Sequence, residues 1–308
     1  MRIVDFSDLA RTGRALRRAF AAARRAGEHQ TPWDWMDLSP VRAHLNQIIS
    51  HDPAKDYIET LAARHIKRFE PVVGLSLGTG QGQTELRWVK ACRFRELRGI
   101  ELRREFVRAA NELAREHYRP ELVFVRGDLK RFPLSPSYYD FIFSDRILHH
   151  FQPVDVMIEN VFRSLKPGGI WIVLDYIGPN RLQYNQVQVA EINRMLSAIP
   201  ARFRTRYWSA SIKKRVDASG FLFMMLTKPF EAPQSREILP ALQTRMKTVD
   251  LFELGGTILA PLLEDIEVNF AEPDPQGAEI LRKCIRFEQE LLTAHRLSSD
   301  YVLGIFQK

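Results

Sequence analysis

The chain has 308 residues, with 45 Lys and Arg against 37 Asp and Glu, a net charge of +8 and 45% hydrophobic residues. That is apolar enough for a sizeable core and longer than one α/β domain needs, so a core domain with substantial additions is expected. The only two cysteines, Cys92 and Cys284, lie far apart without metal-ligand spacing. This excludes a disulfide or zinc framework and favours a reducing, cytoplasmic setting; the apolar runs are too short to cross a bilayer and no signal-peptide pattern is present.

The chain begins with Arg11, Arg14, Arg17, Arg18, Arg24 and Arg25 interleaved with Leu9, Leu16 and Phe20, the pattern of a basic amphipathic helix. Such a face is read as solvated surface of a helix packed on its own protein; contact with phosphates or anionic lipid is the alternative, and Asp5 and Asp8 speak against an organelle transit peptide. Basic charge also favours an acidic substrate. Trp33-Asp34-Trp35 reads as a turn, Pro40 to Ile49 as a helix, and Lys55 to Phe69 as a second helix leading into the first strand. Residues 1–69 are therefore expected to form a helical extension.

Val73 to Leu77 is an apolar strand that breaks into Gly78-Thr79-Gly80-Gln81-Gly82 before a helix over Gln83 to Cys92. Closely spaced glycines at a helix N-terminus let backbone N–H groups approach a ligand at the positive end of the helix dipole, as nucleotide-type cofactors require. A second strand, Phe94 to Ile100, ends at Glu101-Leu102, where a carboxylate is placed to accept ribose hydroxyls. After a helix over Arg104 to Glu116, a third strand, Leu122 to Val125, runs into Arg126-Gly127-Asp128-Leu129; the Asp128 carboxylate can meet an adenine amine or simply cap a helix. A fourth strand, Tyr139 to Phe143, ends at Ser144-Asp145-Arg146 and is followed by Leu148-His149-His150. The fifth, Ile170 to Leu174, follows the turn Lys166-Pro167-Gly168-Gly169 and ends at Asp175-Tyr176. In open α/β sheets these strand ends face one crevice.

Over Val72 to Tyr176 this ordered set resembles class I S-adenosylmethionine-dependent methyltransferases. The resemblance implies a Rossmann-like methyltransferase fold, with a seven-stranded, mostly parallel sheet, and S-adenosyl-L-methionine as cofactor. It implies that the loop Ser76, Leu77, Gly78, Thr79, Gly80 and Gly82 cradles the amino-acid end. Glu101 with Leu102 would take the ribose, Gly127, Asp128 and Leu129 the adenine side, and Ser144 and Asp145 the methionine side. The position two before the first glycine is commonly acidic in the family and is Ser76 here, which weakens the pull on the cofactor ammonium.

Beyond the fifth strand, Tyr176, Arg181, Gln183 and Tyr184 lie in a polar, aromatic segment leaving the crevice and are the candidate substrate residues. Helices are expected at Gln186 to Ala198, Ser235 to Lys247, Ile258 to Phe270 and Gln276 to His295, with a further element at Ile212 to Val216 before Gly220 and a break at Pro273 and Pro275. Thr248 to Leu254 and Asp300 to Phe306 read as the last two strands. Residues 70–308 then form the methyltransferase domain, with helical insertions at about 178–234 and 257–296. These insertions and the N-terminal helices are expected to form a cap over the strand ends.

Methyl transfer to a hydroxyl benefits from a base. His149 and His150 are the catalytic candidates, Asp145, Tyr176 and Tyr184 the reserves; the rival reading makes a histidine a buried support for the cofactor loop. The favoured function is O-methylation of a small-molecule acceptor such as a sugar or glycosylated natural product, an assignment also suggested by a looser resemblance to bacterial methyltransferases found beside sugar-transfer enzymes. Nucleic-acid methylation is the alternative that the charge suggests, though no RNA-binding module is visible. A cofactor-binding protein without methylating activity is the third. No metal cluster can be assembled from the sequence, so no metal is expected, and a homo-oligomer stays open.

Overall fold

The computed structural model describes residues 34–217, 224–226, 228–272 and 274–308. The basic helix expected around Arg11 to Arg25, together with Trp33, Gly220 and Pro273, lies outside them. The strands are β1 (Val72–Leu77), β2 (Phe94–Glu101), β3 (Leu122–Arg126), β4 (Tyr139–Asp145), β5 (Leu165–Tyr176), β6 (Lys247–Gly255) and β7 (Tyr301–Gln307). The helices are α1 (Ser39–Ser50), α2 (Tyr57–Leu61), α3 (Gln83–Ala91), α4 (Arg104–Glu116), α5 (Val154–Ser164), α6 (Gln186–Ala198), α7 (Ser235–Arg245), α8 (Leu259–Leu263) and α9 (Pro275–Thr293).

β1 is buried along its whole length, as a strand covered on both faces must be, and it sits inside a seven-stranded sheet of order β3-β2-β1-β4-β5-β7-β6. β1 to β5 run parallel, while β7 is antiparallel to both β5 and β6, giving the expected mostly parallel sheet. The order reverses between β1 and β4, and ligands of open α/β sheets bind beyond the strand ends at such a point. At the edge, β6 exposes Lys247, Val249, Leu251 and Glu253 in alternation with half-buried residues, and the two charged ones discourage pairing with another chain.

Side chains alternate across the sheet. Phe141, Phe143, Ile170, Ile172, Leu303 and Ile305 pack on one face against α1, α3, α6, α8 and α9. Val73, Leu75, Ile142, Trp171 and Val173 pack on the other against α5 and α7. In α5 the buried Val154, Met157, Ile158 and Val161 fall on one stripe, which is why that segment is a helix.

Several elements differ from the sequence reading. The helix expected over Lys55 to Phe69 stops at Leu61, widens into a π turn at Ala62–Ile66 and ends in a 3₁₀ turn at Lys67–Phe69, because the chain must leave the helix before Pro71. Lys166 to Gly169 bulges out within β5, where the ladder steps from Tyr139 opposite Leu165 to Phe141 opposite Ile170. The helix expected over Ile258 to Phe270 splits into α8 and a 3₁₀ turn at Glu267–Phe270, since Asp265 adopts a left-handed conformation with φ 73°. Around Ile212 there is a single antiparallel bridge to Thr205. The described N-terminal helices and the two stretches after β5 and β6 share one apolar cluster, with α1 on α9 and α6 on α8. That cluster covers a face of the sheet, and Trp35, one of its members, lines a cavity together with Tyr184, Pro261 and Tyr176 at the end of β5.

Glu288 of α9 ties the stretch after β6 to the sheet. Its fully buried carboxylate accepts N–H groups from Gly256 (3.0 Å), Ile258 (2.6 Å) and Leu259 (3.0 Å). Truncating it strands three donors, so Glu288→Ala should cost about 2 to 4 kcal/mol in urea denaturation. A loss below about 0.5 kcal/mol, the level of an ordinary surface change, would show that the anchor is dispensable.

Candidate active site

β1 delivers the chain into Gly78 to Gly82, and Gly82, with φ 83°, caps α3. A Cβ on Gly82 would stand 2.8 Å from the Phe124 ring and 3.0 Å from Ala110, so strand and helix close up there only with glycine. Gly80 has φ 54°, yet a Cβ on it would meet nothing within 4 Å, so its outer side is open for a ligand. The loop is held by Glu101, whose Oε2 accepts the Gly80 N–H at 3.0 Å and whose Oε1 accepts the Arg103 N–H at 2.9 Å. Each oxygen keeps a second lone pair. Thr79 Oγ1 is buried and has no partner among the described residues.

This loop opens on a cavity of about 440 Å³ lined by Gly78, Glu101, Leu102, Gly127, Asp128 and Leu129, with Ile147, His150 and Phe230 on its other side. Asp128 does cap its own turn, its Oδ1 accepting the Lys130 N–H at 3.0 Å, and the residue also lines the cavity. Lys130 lies 4.5 Å from the Phe230 ring centroid across the mouth.

Ser76 and Leu77 are buried beneath the loop. Ser76 Oγ donates to Glu85 Oε1 at 2.6 Å, so a carboxylate from α3 stands beside the position where the family pattern leads one to expect an acid. Burial pushes Glu85 up to about 7 against the Ser76 hydrogen bond, and its Oε2 has no partner among the described residues. Glu85 was visible in sequence only as a helix-start residue; its burial depends on packing. Ser144 is fully buried and accepts the Trp171 Nε1–H at 3.0 Å. Asp145 pairs with Arg146 at 2.6 Å, and Arg146 reaches on to Asp34 at 2.5 Å. Neither Ser144 nor Asp145 lines the cavity beside the loop.

A second cavity, of about 230 Å³, lies beside the first and is lined by His149, Tyr176, Tyr184, Trp35, Tyr301 and four carboxylates, Asp34, Glu231, Glu264 and Glu267, with Lys228. Of the four substrate candidates, Tyr176 and Tyr184 are in this wall. Arg181 and Gln183 are not: Arg181 donates to the Pro229 carbonyl at 3.1 Å, and Gln183 to the Arg181 carbonyl at 3.0 Å. The Tyr176 hydroxyl donates to the Pro179 carbonyl at 3.0 Å, which together with burial holds it in the phenol form. The acidic wall runs against the expectation of an acidic substrate, because net charge does not report local charge.

The two histidines stand side by side, ring centroids 4.0 Å apart, with His150 in the first cavity and His149 in the second. Asp175 is fully buried and accepts N–H groups from Ile147 (3.0 Å), Leu148 (2.7 Å) and Tyr176 (2.8 Å). Its Oδ1 also receives His149 Nδ1 at 2.6 Å, which fixes the tautomer with the lone pair on Nε2, 3.7 Å from Glu231 Oε1. Burial alone would push the His149 imidazole down; Asp175 and then Glu231 outweigh it, so it titrates above its ordinary value. His150 goes the other way, lowered by burial and by the neighbouring His149, and its Nδ1 donates to the Phe230 carbonyl at 3.1 Å. His149, His150 and Glu231 each bring a possible metal-ligating atom within 4.8 Å of the others. The sequence reading assembled no such cluster because Glu231 lies about 80 residues downstream and the fold alone brings it back.

Residues 75–173 match a sequence profile described as a methyltransferase domain. That stretch carries a methyltransferase domain, similar to those of the class I S-adenosylmethionine-dependent methyltransferases. It is 29% identical over 104 residues, 33% of this chain and 34% of the other, to erythromycin 3''-O-methyltransferase of Saccharopolyspora erythraea. To phthiotriol/phenolphthiotriol dimycocerosates methyltransferase 1 of Mycobacterium ulcerans it is 25% identical over 173 residues, 55% of this chain and 59% of the other. The crystal structure of YcgJ from Bacillus subtilis aligns over 81% of this chain and 95% of that one, with 16% identity and a TM-score of 0.43. The chain thus spans between about a third and three fifths of the curated relatives it matches.

For a methyltransferase of this class the first cavity fits the cofactor on this chain's own geometry. Gly80 leaves the approach to the loop open, Thr79 Oγ1 lacks a partner among the described residues, and Glu101 and Asp128 keep acceptor capacity. Gly80→Ala should fill the open side without unfolding the chain and weaken S-adenosylmethionine at least tenfold in calorimetric titration. Glu101→Ala, which removes a carboxylate contact and the strap on the loop, should weaken it about 10- to 100-fold. Unchanged affinity in both variants would remove the loop from the cofactor site.

Proposed function

We propose that the protein transfers a methyl group from S-adenosylmethionine to a hydroxyl oxygen of a small-molecule acceptor, in the class of sugars or glycosylated natural products, with the acceptor in the second cavity. The observation that carries this reading is the pair of adjoining histidines, one in each cavity, with Asp175 behind His149. The bound cofactor supplies an electrophilic methyl group on a sulfonium. His149 Nε2, its lone pair directed by Asp175, takes the hydroxyl proton, and Asp175 stabilises the imidazolium that results. His150, held by the Phe230 carbonyl, positions the boundary between the two cavities. Tyr176, Tyr301 and Trp35, in successive edge-to-face contacts, wall off water and orient the acceptor. Support also comes from the matched O-methyltransferase, whose name gives its reaction on erythromycin. Four carboxylates on a small cavity disfavour a nucleic-acid backbone, which weakens that alternative.

A screen of purified protein with labelled cofactor against sugars, phenols, amines and RNA tests the class of acceptor. On the acceptor it identifies, His149→Ala should lower turnover by about a hundredfold or more with cofactor affinity nearly intact. The base works only when neutral, so the rate should rise with pH through a midpoint above the ordinary histidine value. Asp175→Asn removes the charge that favours the imidazolium, leaving burial to dominate, so the midpoint should move down. The same linkage makes the His149–Asp175 contact stabilising below about pH 6.5 and progressively less so as pH rises through the raised value. A rate profile that is flat across this range in both forms would discard His149 as the base.

A further inference from the structure

The second cavity has a wall chemistry that a plain hydroxyl acceptor does not require. Asp34, Glu231, Glu264 and Glu267 all face it, together with the rings of Trp35, Tyr184 and Tyr301. Part of this charge is already neutralised. Arg146 takes Asp34, and Lys228 lies 3.6 Å from Glu264. Buried Lys213 spends its ammonium on the carbonyls of Pro261, Leu262 and Glu264, at 2.8, 3.2 and 2.6 Å.

Glu267 is different. It is 5% exposed, enters no salt bridge among the described residues, and its Oε2 is buried without a hydrogen-bond partner. Burial, with Asp265 and Glu264 adding to it and Lys213 opposing, pushes its carboxyl up to about 7. Among the described residues, Glu231 likewise has only the two histidines as ion-pair partners, at 3.7 and 3.9 Å. A buried carboxyl left unsatisfied is costly, and a wall of aromatic rings beside it is the surroundings in which an organic cation gains both charge and ring attraction.

We propose that this cavity selects an acceptor carrying an aliphatic amine, bound as the ammonium between Glu267 and Glu231 and against the rings of Trp35, Tyr184 and Tyr301. The inference rests on the second cavity being the acceptor site and narrows its substrate class to amine-bearing molecules. The amine is the recognition group and the hydroxyl the reacting one. A cavity of about 230 Å³ takes a small acceptor or one small unit of a larger one, so the amine and the hydroxyl lie on the same unit.

Three compounds of one shape separate charge from fit: neopentylamine, protonated at neutral pH, neopentyl alcohol and trimethylacetate. Their binding is measured by calorimetry on the whole chain, alone and saturated with S-adenosylhomocysteine. The ammonium should bind at least about tenfold more tightly than the alcohol, and the carboxylate should not bind. Glu267→Gln, which keeps shape and removes charge, should erase that preference, with thermal melting as the check on folding. Glu231→Gln, at a half-buried site, should reduce it if Glu267→Gln fails to fold. Equal affinity for amine and alcohol, or a preference that survives both variants, overturns the proposal. So does a preference lost on adding a chelator, which would place a metal ion on His149, His150 and Glu231 instead. Failure of S-adenosylhomocysteine to bind would count against the methyltransferase reading alone, since the amine preference is also read on the chain without it.

Discussion

The four hydrogen bonds converging on the Asp175 carboxylate organise everything beyond the carboxyl ends of β4 and β5. Without them, the N–H groups of Ile147 and Leu148 would be stranded where the chain leaves β4, and the His149 ring would be free to turn. Because Asp175 ends β5 and the turn after β4 folds onto it, one buried charge fixes both the backbone between the cavities and the tautomer of the ring that faces the second. The arrangement is stable because the donors are supplied, since a fully buried carboxylate without partners is costly.

The same device recurs at two other places along this side of the molecule. Glu101 straps the glycine loop through Gly80 and Arg103, and Glu288 gathers the N–H groups that open the stretch after β6. In each case an acidic side chain on a regular element collects orphan donors of an irregular one. Loops near a ligand site cannot satisfy their backbone groups with one another, and carboxylates projecting from strands and helices do so while holding loop geometry to the precision that alignment of two reactants requires. Asp175 and Glu101 therefore serve structure and site together, and substitutions there will affect both.

The sheet was legible because its signals are local: uninterrupted apolar runs, glycines at a strand end, and acids at successive strand ends. The first five strands lie where the residues put them to within a few positions, except that the Lys166 to Gly169 turn is a bulge inside β5. What was not legible depends on long-range return of the chain. Glu231 joins His149 from about 80 residues away, and Glu267 and Tyr301 come from the far side of the stretch between β6 and β7. Glu85 carried no mark in sequence, since a glutamate in the first turn of a helix is ordinary; only packing reveals that it is buried against Ser76. Arg181 and Gln183 were chosen for polarity in the segment leaving the crevice, and that polarity is spent on backbone carbonyls at 3.1 and 3.0 Å. A polar residue in a turn has two uses, and sequence alone does not divide them.

Charge is where the whole chain and its site part company most sharply. A net +8 suggests an anionic partner, yet the second cavity is ringed by four carboxylates, and two of the nearby cations are already committed to Asp34 and Glu264. The resolution is one of distance. At physiological salt, exposed charges fade over about 8 Å, whereas groups lining one small cavity lie within that distance of whatever enters it and dominate what binds there. Long-range charge then governs approach to the surface, and the cavity governs selection. An acceptor with a protonated amine would be repelled weakly by the distant surface and held strongly once inside, so the sign of the whole chain is no guide to the sign of what it modifies.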